Sequence, residues 1–159
     1  MLNRKFVSFL TVVFLIVLVG LSWLFISSQA HIQQAQKEAV KRIEVDYTVK
    51  DVKKFYWTTI KEAYFAMEFV DDSGQAHYAV IAREGGDAHY YTPSEIITED
   101  EAKSIAAEGT GVTNIMQARL GMMNDGPVWE VTIKNEDGTL TYYYVNAKDG
   151  AWIQKIENI

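Results

Sequence analysis

The sequence predicts an α+β protein in which an apolar N-terminal helix precedes two tandem modules, each a helix packed on an antiparallel sheet. Three observations carry that reading. First, VWEVTIKNEDGTLTYYYVNAKDGAW, Val128 to Trp152, is echoed at one constant offset by YFAMEFVDDSGQAHYAVIAREGGDA, Tyr64 to Ala88. Phe65 answers Trp129, Gly74 answers Gly138, Tyr78 answers Tyr142 and Gly86 answers Gly150. Second, each copy alternates apolar and other residues on both sides of an Asp/Asn/Gly turn, the pattern of a hairpin buried on one face. Third, each copy follows a helix-forming stretch, which is the available cover for the apolar face of its sheet.

The elements follow in order. Phe6 to Ile26 contains no charged residue, and as a helix it would rise roughly 30 Å, about the thickness of a bilayer hydrocarbon core. Arg4 and Lys5 precede it, and the residues just after it carry no Lys or Arg. That asymmetry leads to the expectation of a cytoplasmic tail over 1–5, a single-pass transmembrane helix over 6–26, and extracytoplasmic domains held at the cell membrane. A signal peptide cut near Ser28 to Ala30 is the competing reading, but a signal core is usually shorter, about 7–15 residues.

A first, diverged module is expected over 27–94. Gln29 to Glu44 has strong helix formers and neither Gly nor Pro, with Ile32, Ala35, Ala39, Val40 and Ile43 on roughly one face. VKDVKKFYWTTI reads as a strand. In FAMEF, Phe65, Met67 and Phe69 alternate inward, DDSG turns, HYAVIA returns, and AHYY closes the sheet. TPSE, Thr92 to Glu95, is too short for a flexible tether, so the modules are expected to be coupled.

The second module is expected over 95–159. Thr98 and Glu101 have the spacing of a capping box, and acidic residues in the first turn suit the helix dipole. Ala102, Ile105 and Ala106 form the inner face, and Gly109 and Gly111 are read as the helix end. VTNIMQARL is a strand, GMMNDGP a loop, and VWEVTI, TYYYV and AWIQKI are strands joined by NEDG and AKDG turns. The short hairpin places Trp129, Val131 and Ile133 on the same side as Thr141, Tyr143 and Val145. A helix lying across its own curved sheet, twice, is the arrangement of cystatin-like folds.

These residues resemble a known family. SEIITEDEAKSIA with WEV at Trp129 to Val131 and YVNAKDG at Tyr144 to Gly150 is similar to a PepSY domain, departing where that family often has Asp and Thr, at Asn146 and Asp149. Across almost the whole chain, the order of anchor, degenerate module and PepSY module resembles the TseB-like (YpmB-like) cell wall elongation regulators of Gram-positive bacteria. The resemblance implies a membrane-anchored, non-catalytic regulator that contacts a penicillin-binding transpeptidase or its complex. PepSY domains in protease propeptides make an inhibitor of an exported protease the alternative.

The residues themselves argue for little chemistry. There is no cysteine, so disulfides and thiolate chemistry are excluded. Arg4 and Lys5 account for two of the 15 basic residues, leaving 13 basic against 21 acidic beyond the apolar segment. Such a chain is a poor nucleic-acid binder. His77 and His89 on neighbouring strands lack the convergent partners of a metal site. Ser73 sits in a hairpin turn rather than a nucleophile elbow. Glu99, Asp100 and Glu101 cap a helix, and GTG ends one instead of cradling a phosphate. The chain is therefore read as no enzyme, with no cofactor and no metal. The candidate contact residues are Tyr142 and Tyr144, which alternation sends to the face opposite Tyr143, with Tyr78 and Tyr64 at the matching positions of the first module.

Overall fold

The computed structural model describes the backbone of residues 4–159, with side chains for residues 8–24 and 30–159. Residues 1–3 of the expected 1–5 tail lie outside the described residues. The chain divides into two compact units, residues 1–38 and 39–159.

The first unit lies in helix α1 (Arg4–Ile43), which joins the two helices expected from the sequence into one. Its described apolar side chains between Phe9 and Leu24 are exposed. The expected single-pass anchor over 6–26, and with it the membrane localisation, is corrected here. Among the described residues no helix is long and apolar enough to cross a membrane. Beyond Ala30 the helix turns polar with Gln33, Gln34, Lys37 and Glu38.

The second unit holds two four-stranded antiparallel meanders. The first comprises β1 (Val49–Thr59), β2 (Ala63–Asp71), β3 (Ala76–Ala82) and β4 (Ala88–Tyr91) in spatial order. Helix α2 (Glu99–Thr110) leads into the second sheet, β5 (Ile115–Met123), β6 (Gly126–Lys134), β7 (Leu140–Asn146) and β8 (Trp152–Ile156), again in order. This is the mixed α+β architecture of tandem cystatin-like modules.

The repeat is physical as well as textual. Asp71 N–H donates to the Gln75 carbonyl and Asn135 N–H to the Thr139 carbonyl, both at 2.9 Å. Gly74 and Gly138 sit at the same point of each turn with φ of 86° and 89°, a left-handed conformation that costs glycine least. The turn fixes the register, which pairs Trp129 with Val145, Val131 with Tyr143 and Ile133 with Thr141. These six face inward as expected, and all are buried. In the first sheet Phe65, Met67 and Phe69 are likewise buried.

Helix α2 begins at the expected capping box. Glu101 N–H donates to Thr98 Oγ1 (3.2 Å) while Thr98 N–H donates to Glu101 Oε2 (2.7 Å). It ends at Gly111, in the left-handed conformation. Gly109 does not end it. It lies inside the last turn, where a Cβ would collide with the Tyr143 hydroxyl, so glycine is needed there for close helix-sheet approach. The GMMNDGP stretch is no loop either. β5 runs through Met123 and β6 starts at Gly126, leaving only Asn124 (φ 50°) and Asp125 (φ 61°) as a tight turn. Both residues tolerate the left-handed region that a two-residue hairpin demands.

The two sheets share one core. Tyr56, Ala66, Tyr78 and Val80 of the first belong to the same buried cluster as Ala102 and Ala106 of α2 and Trp129, Val131 and Tyr143 of the second. The Tyr56 and Trp129 rings meet edge to face at 5.5 Å, a favoured aromatic arrangement. Trp129 Nε1–H donates to the Ile97 carbonyl at 2.9 Å. Beside this contact Thr58 of β1 presses against Gly121 of β5. The first sheet is therefore buried on both faces, because its other side carries Phe65, Met67, Phe69, Ala79 and Ile81.

Candidate functional site: the outer face of the second sheet

Alternation that turns Trp129, Val131 and Tyr143 toward α2 turns Val128, Glu130, Thr132, Tyr142 and Tyr144 to the opposite side. Register across the four strands builds two rows there. One is Arg119, Glu130, Tyr144 and Gln154; the next is Gln117, Thr132, Tyr142 and Ile156. One end of the face is closed by Ile60, from the turn between β1 and β2, which packs on Met123, Val128 and Tyr144.

The floor of this face is polar. Glu130 and Thr132 are buried, at 6% and 2% exposure, and the Tyr144 hydroxyl donates to Glu130 Oε2 at 3.0 Å. Burial pushes the Glu130 carboxyl above the usual carboxylate range, against the pull of the Tyr144 hydroxyl and the Arg119 charge. Burial and the neighbouring Glu130 carboxylate raise the Tyr144 phenol in turn. Thr132 Oγ1 is enclosed without a hydrogen-bond partner. Arg119, half-buried, makes no ion pair or hydrogen bond among the described residues. Its opposite neighbour Glu130 is engaged by Tyr144, which leaves the guanidinium donors unused. Tyr142 is half-buried and Ile156 exposed, so the upper layer mixes an aromatic, an aliphatic and a cation, the composition that interfaces enrich.

The four tyrosines chosen from the sequence do not form one surface. Tyr142 and Tyr144 lie on this outer face, Tyr144 in its floor. Tyr78 is buried in the shared core and Tyr64 packs against it, its hydroxyl donating to Glu62. Parity was right for all four, but the first module's face is covered by the second module. Sequence reasoning missed Arg119, Glu130 and Thr132. The hairpin turn already put Glu130 and Thr132 beside Tyr144 and Tyr142; Arg119 needed the register of β5, obscured by reading GMMNDGP as a loop.

Other polar groups are accounted for locally. Ser73 Oγ–H donates to Asp71 Oδ1 (2.6 Å) and His77 Nε2 lies 2.9 Å from Asp71 Oδ2. The carboxylate stands between hydroxyl and imidazole, so the imidazole does not touch the hydroxyl and the trio stabilises the turn. Asn135, Thr139 and Thr141 form a similar hydrogen-bonded set in the second module. His89 is exposed on β4, and among the described residues no group of His, Asp and Glu could hold a metal.

Comparison with known proteins adds the following. Residues 96–153 match the PepSY family, described as peptidase propeptide and YPEB domain. No curated protein matches the chain. Among solved structures, the YpmB protein from Bacillus subtilis aligns with a TM-score of 0.65 at 23% identity, over 76% of this chain and 95% of that one. At that identity the likeness establishes a common fold.

Proposed function

From the premise that this chain carries a PepSY domain in a YpmB-like fold, we propose that it is a non-catalytic modulator that acts by binding another protein through the outer face of its second sheet. A PepSY domain points to a regulatory or inhibitory role. The single observation that carries the contact reading is the outer face itself, with an unused guanidinium, a half-buried tyrosine and an exposed isoleucine over a polar floor.

The partner in this reading is a penicillin-binding transpeptidase or its wall-elongation complex, supported by the resemblance of the two tandem modules to wall elongation regulators. A second reading is favoured by the family description, which names peptidase propeptides: the partner would be a peptidase held in check. The tight Asn124–Asp125 turn argues against the segment otherwise best suited to enter a protease cleft, since Gly121, Met122, Met123 and Pro127 are all buried.

In-cell photo-crosslinking from position 142 of the full chain, followed by capture and mass spectrometry, separates these readings. Enrichment of a transpeptidase, lost in a control labelled at buried position 131, supports the first. Enrichment of a peptidase replaces it with the second, and capture of neither defeats both.

A further inference from the structure

Arg42 and Asp46 carry opposite charges that the fold keeps apart. They stand four residues apart, in the last turn of α1 and the turn after it, where the Asp46 and Tyr47 amides both donate to the Ile43 carbonyl at 2.9 Å. Opposite charges at this spacing along a helix usually meet. Among the described residues these two make no ion pair with each other. Each is held instead by the β3–β4 hairpin. Arg42 Nη2–H donates to the Gly86 carbonyl at 2.7 Å, and the Tyr90 hydroxyl donates to Asp46 Oδ2 at 2.7 Å. Burial and the bond to Asp46 raise the Tyr90 phenol, which keeps its proton in place as the donor. Arg42 and Asp46 both line a cleft of about 660 Å³, together with Val45, Tyr47, Asp87 and Tyr90. Small-molecule sites typically measure about 300–1,000 Å³. The Tyr47 ring is fixed in its wall by Phe69, His77 and Tyr90, at 5.7, 4.7 and 4.8 Å.

We propose that this cleft binds a free α-amino acid, with Arg42 on its carboxylate, Asp46 on its ammonium, and an apolar side chain against Val45 and Tyr47. The site is independent of the protein-contact reading above, because every residue of the cleft belongs to the first module. The two clasps fix their charges without consuming them. Arg42 spends one of its guanidinium donors on Gly86, and Asp46 Oδ1 accepts nothing. Asp87, which makes no ion pair, adds a further acceptor for an ammonium. Fixed charges of both signs in one cleft suit a ligand that carries both. Arg42 would oppose a lone ammonium, and Asp46 with Asp87 would oppose a lone carboxylate. An α-amino acid carries its two charges on one carbon and meets both complements at once, whereas either end of a peptide offers one alone. Val45, at 77% exposure, supplies an apolar rim for the side chain. Holding Arg42 and Asp46 apart before the ligand arrives removes the cost of breaking their pair.

The test titrates the full chain with L-leucine, followed by NMR shifts at Arg42, Asp46, Asp87 and Tyr90. L-Leucinamide, which lacks the carboxylate, and N-acetyl-L-leucine, which lacks the ammonium, should each bind about tenfold or more weakly, as loss of a charge-assisted contact requires. Arg42→Gln should weaken leucine by a similar factor and leave leucinamide no worse, while Asp46→Asn should do the reverse for N-acetyl-leucine. Tyr90→Phe keeps both charges but releases Asp46 to pair with Arg42, so it should also weaken leucine. Because Arg42 clasps the Gly86 carbonyl, Asp87→Asn serves as the variant without a structural partner, and it too should weaken leucine. No shifts with L-leucine at tens of millimolar, shifts away from these residues, or leucine binding unchanged in all four variants each overturn the proposal. Equal binding of leucinamide replaces it with a site for an amino terminus, and equal binding of N-acetyl-leucine with a site for a carboxyl terminus.

Discussion

Gly121 offers a sharp test of the shared core. A Cβ built on it lies 2.5 Å from Thr58 Oγ1, 3.1 Å from Thr58 Cβ and 3.3 Å from Thr58 Cγ2. Thr58 has no exposed surface into which it could retreat. On backbone entropy alone, glycine to alanine inside a strand gains roughly 0.5–1 kcal/mol. Overpacking a filled site costs about 1–3 kcal/mol. The net expectation for Gly121→Ala is a loss of about 1–2 kcal/mol. Thr58→Ala alone should be nearly neutral. It removes a packed methyl, worth about 1 kcal/mol, but also a buried hydroxyl without a partner, whose burial costs about 1–3 kcal/mol. In the double variant the two closest γ-atom contacts vanish, so the pair should couple by about 1–2 kcal/mol. Equilibrium urea unfolding of the four proteins measures this. A stabilising Gly121→Ala, or additivity within about 0.5 kcal/mol, would refute the contact between the sheets.

Other expectations follow from single sites. Trp129→Ala should cost about 3–5 kcal/mol, a large share of the roughly 5–15 kcal/mol a domain holds; a urea-measured loss under about 1 kcal/mol would show that the inward face is misassigned. Thr98→Ala should cost about 1 kcal/mol by removing the helix cap, and unchanged thermal stability would count against the capping box. Asp71, whose ordinary value is 3.8, is held down to about 2, chiefly by the Ser73 hydroxyl and then by the Gln75 amide and His77. Its stabilisation is complete above the ordinary value and is lost as pH falls toward 2; Asp71→Asn should therefore lower the urea midpoint at pH 7 and flatten its fall between pH 4 and 2, and an unchanged acid limb would exclude this account. Burial raises the Glu130 carboxyl, so Glu130→Gln should raise the urea midpoint at neutral pH, with the gain shrinking as acid protonates the native residue; a uniform gain would assign the effect elsewhere.

Much of the fold was legible because turn chemistry and alternation constrain each other. NEDG sets the register of its hairpin, and register with period two decides which of Trp129 and Glu130 faces the core. The capping box needed only Thr98 and Glu101. What alternation could not convey was the second burial of the first sheet. HYAVIA held a signal, since Ala79, Val80 and Ile81 in succession mark a strand covered on both faces, yet nothing local names the cover. Gly109 and Gly121 were misread for one reason. A glycine demanded by a neighbour's close approach looks in sequence like a glycine demanded by a turn, and only the Tyr143 hydroxyl and Thr58 tell them apart.

That second burial bears on why the module is doubled and how the candidate site differs from its counterpart in the first sheet. A module of about 60 residues buries too little surface to be comfortably stable alone. Here the first sheet gains a second apolar contact by packing its Tyr56, Ala66, Tyr78 and Val80 face into the core of the module that follows it. The equivalent face of the second sheet is not part of that shared core. Positions equivalent in register then diverge in a consistent direction, from Ala66 to Glu130, from Val80 to Tyr144 and from Tyr56 to Arg119. An exposed apolar face would invite aggregation, whereas one with a polar floor tolerates water and suits a reversible contact. The polar chemistry of Arg119, Glu130 and Tyr142 thus suits a face that, unlike its counterpart in the first sheet, is not built into the shared core.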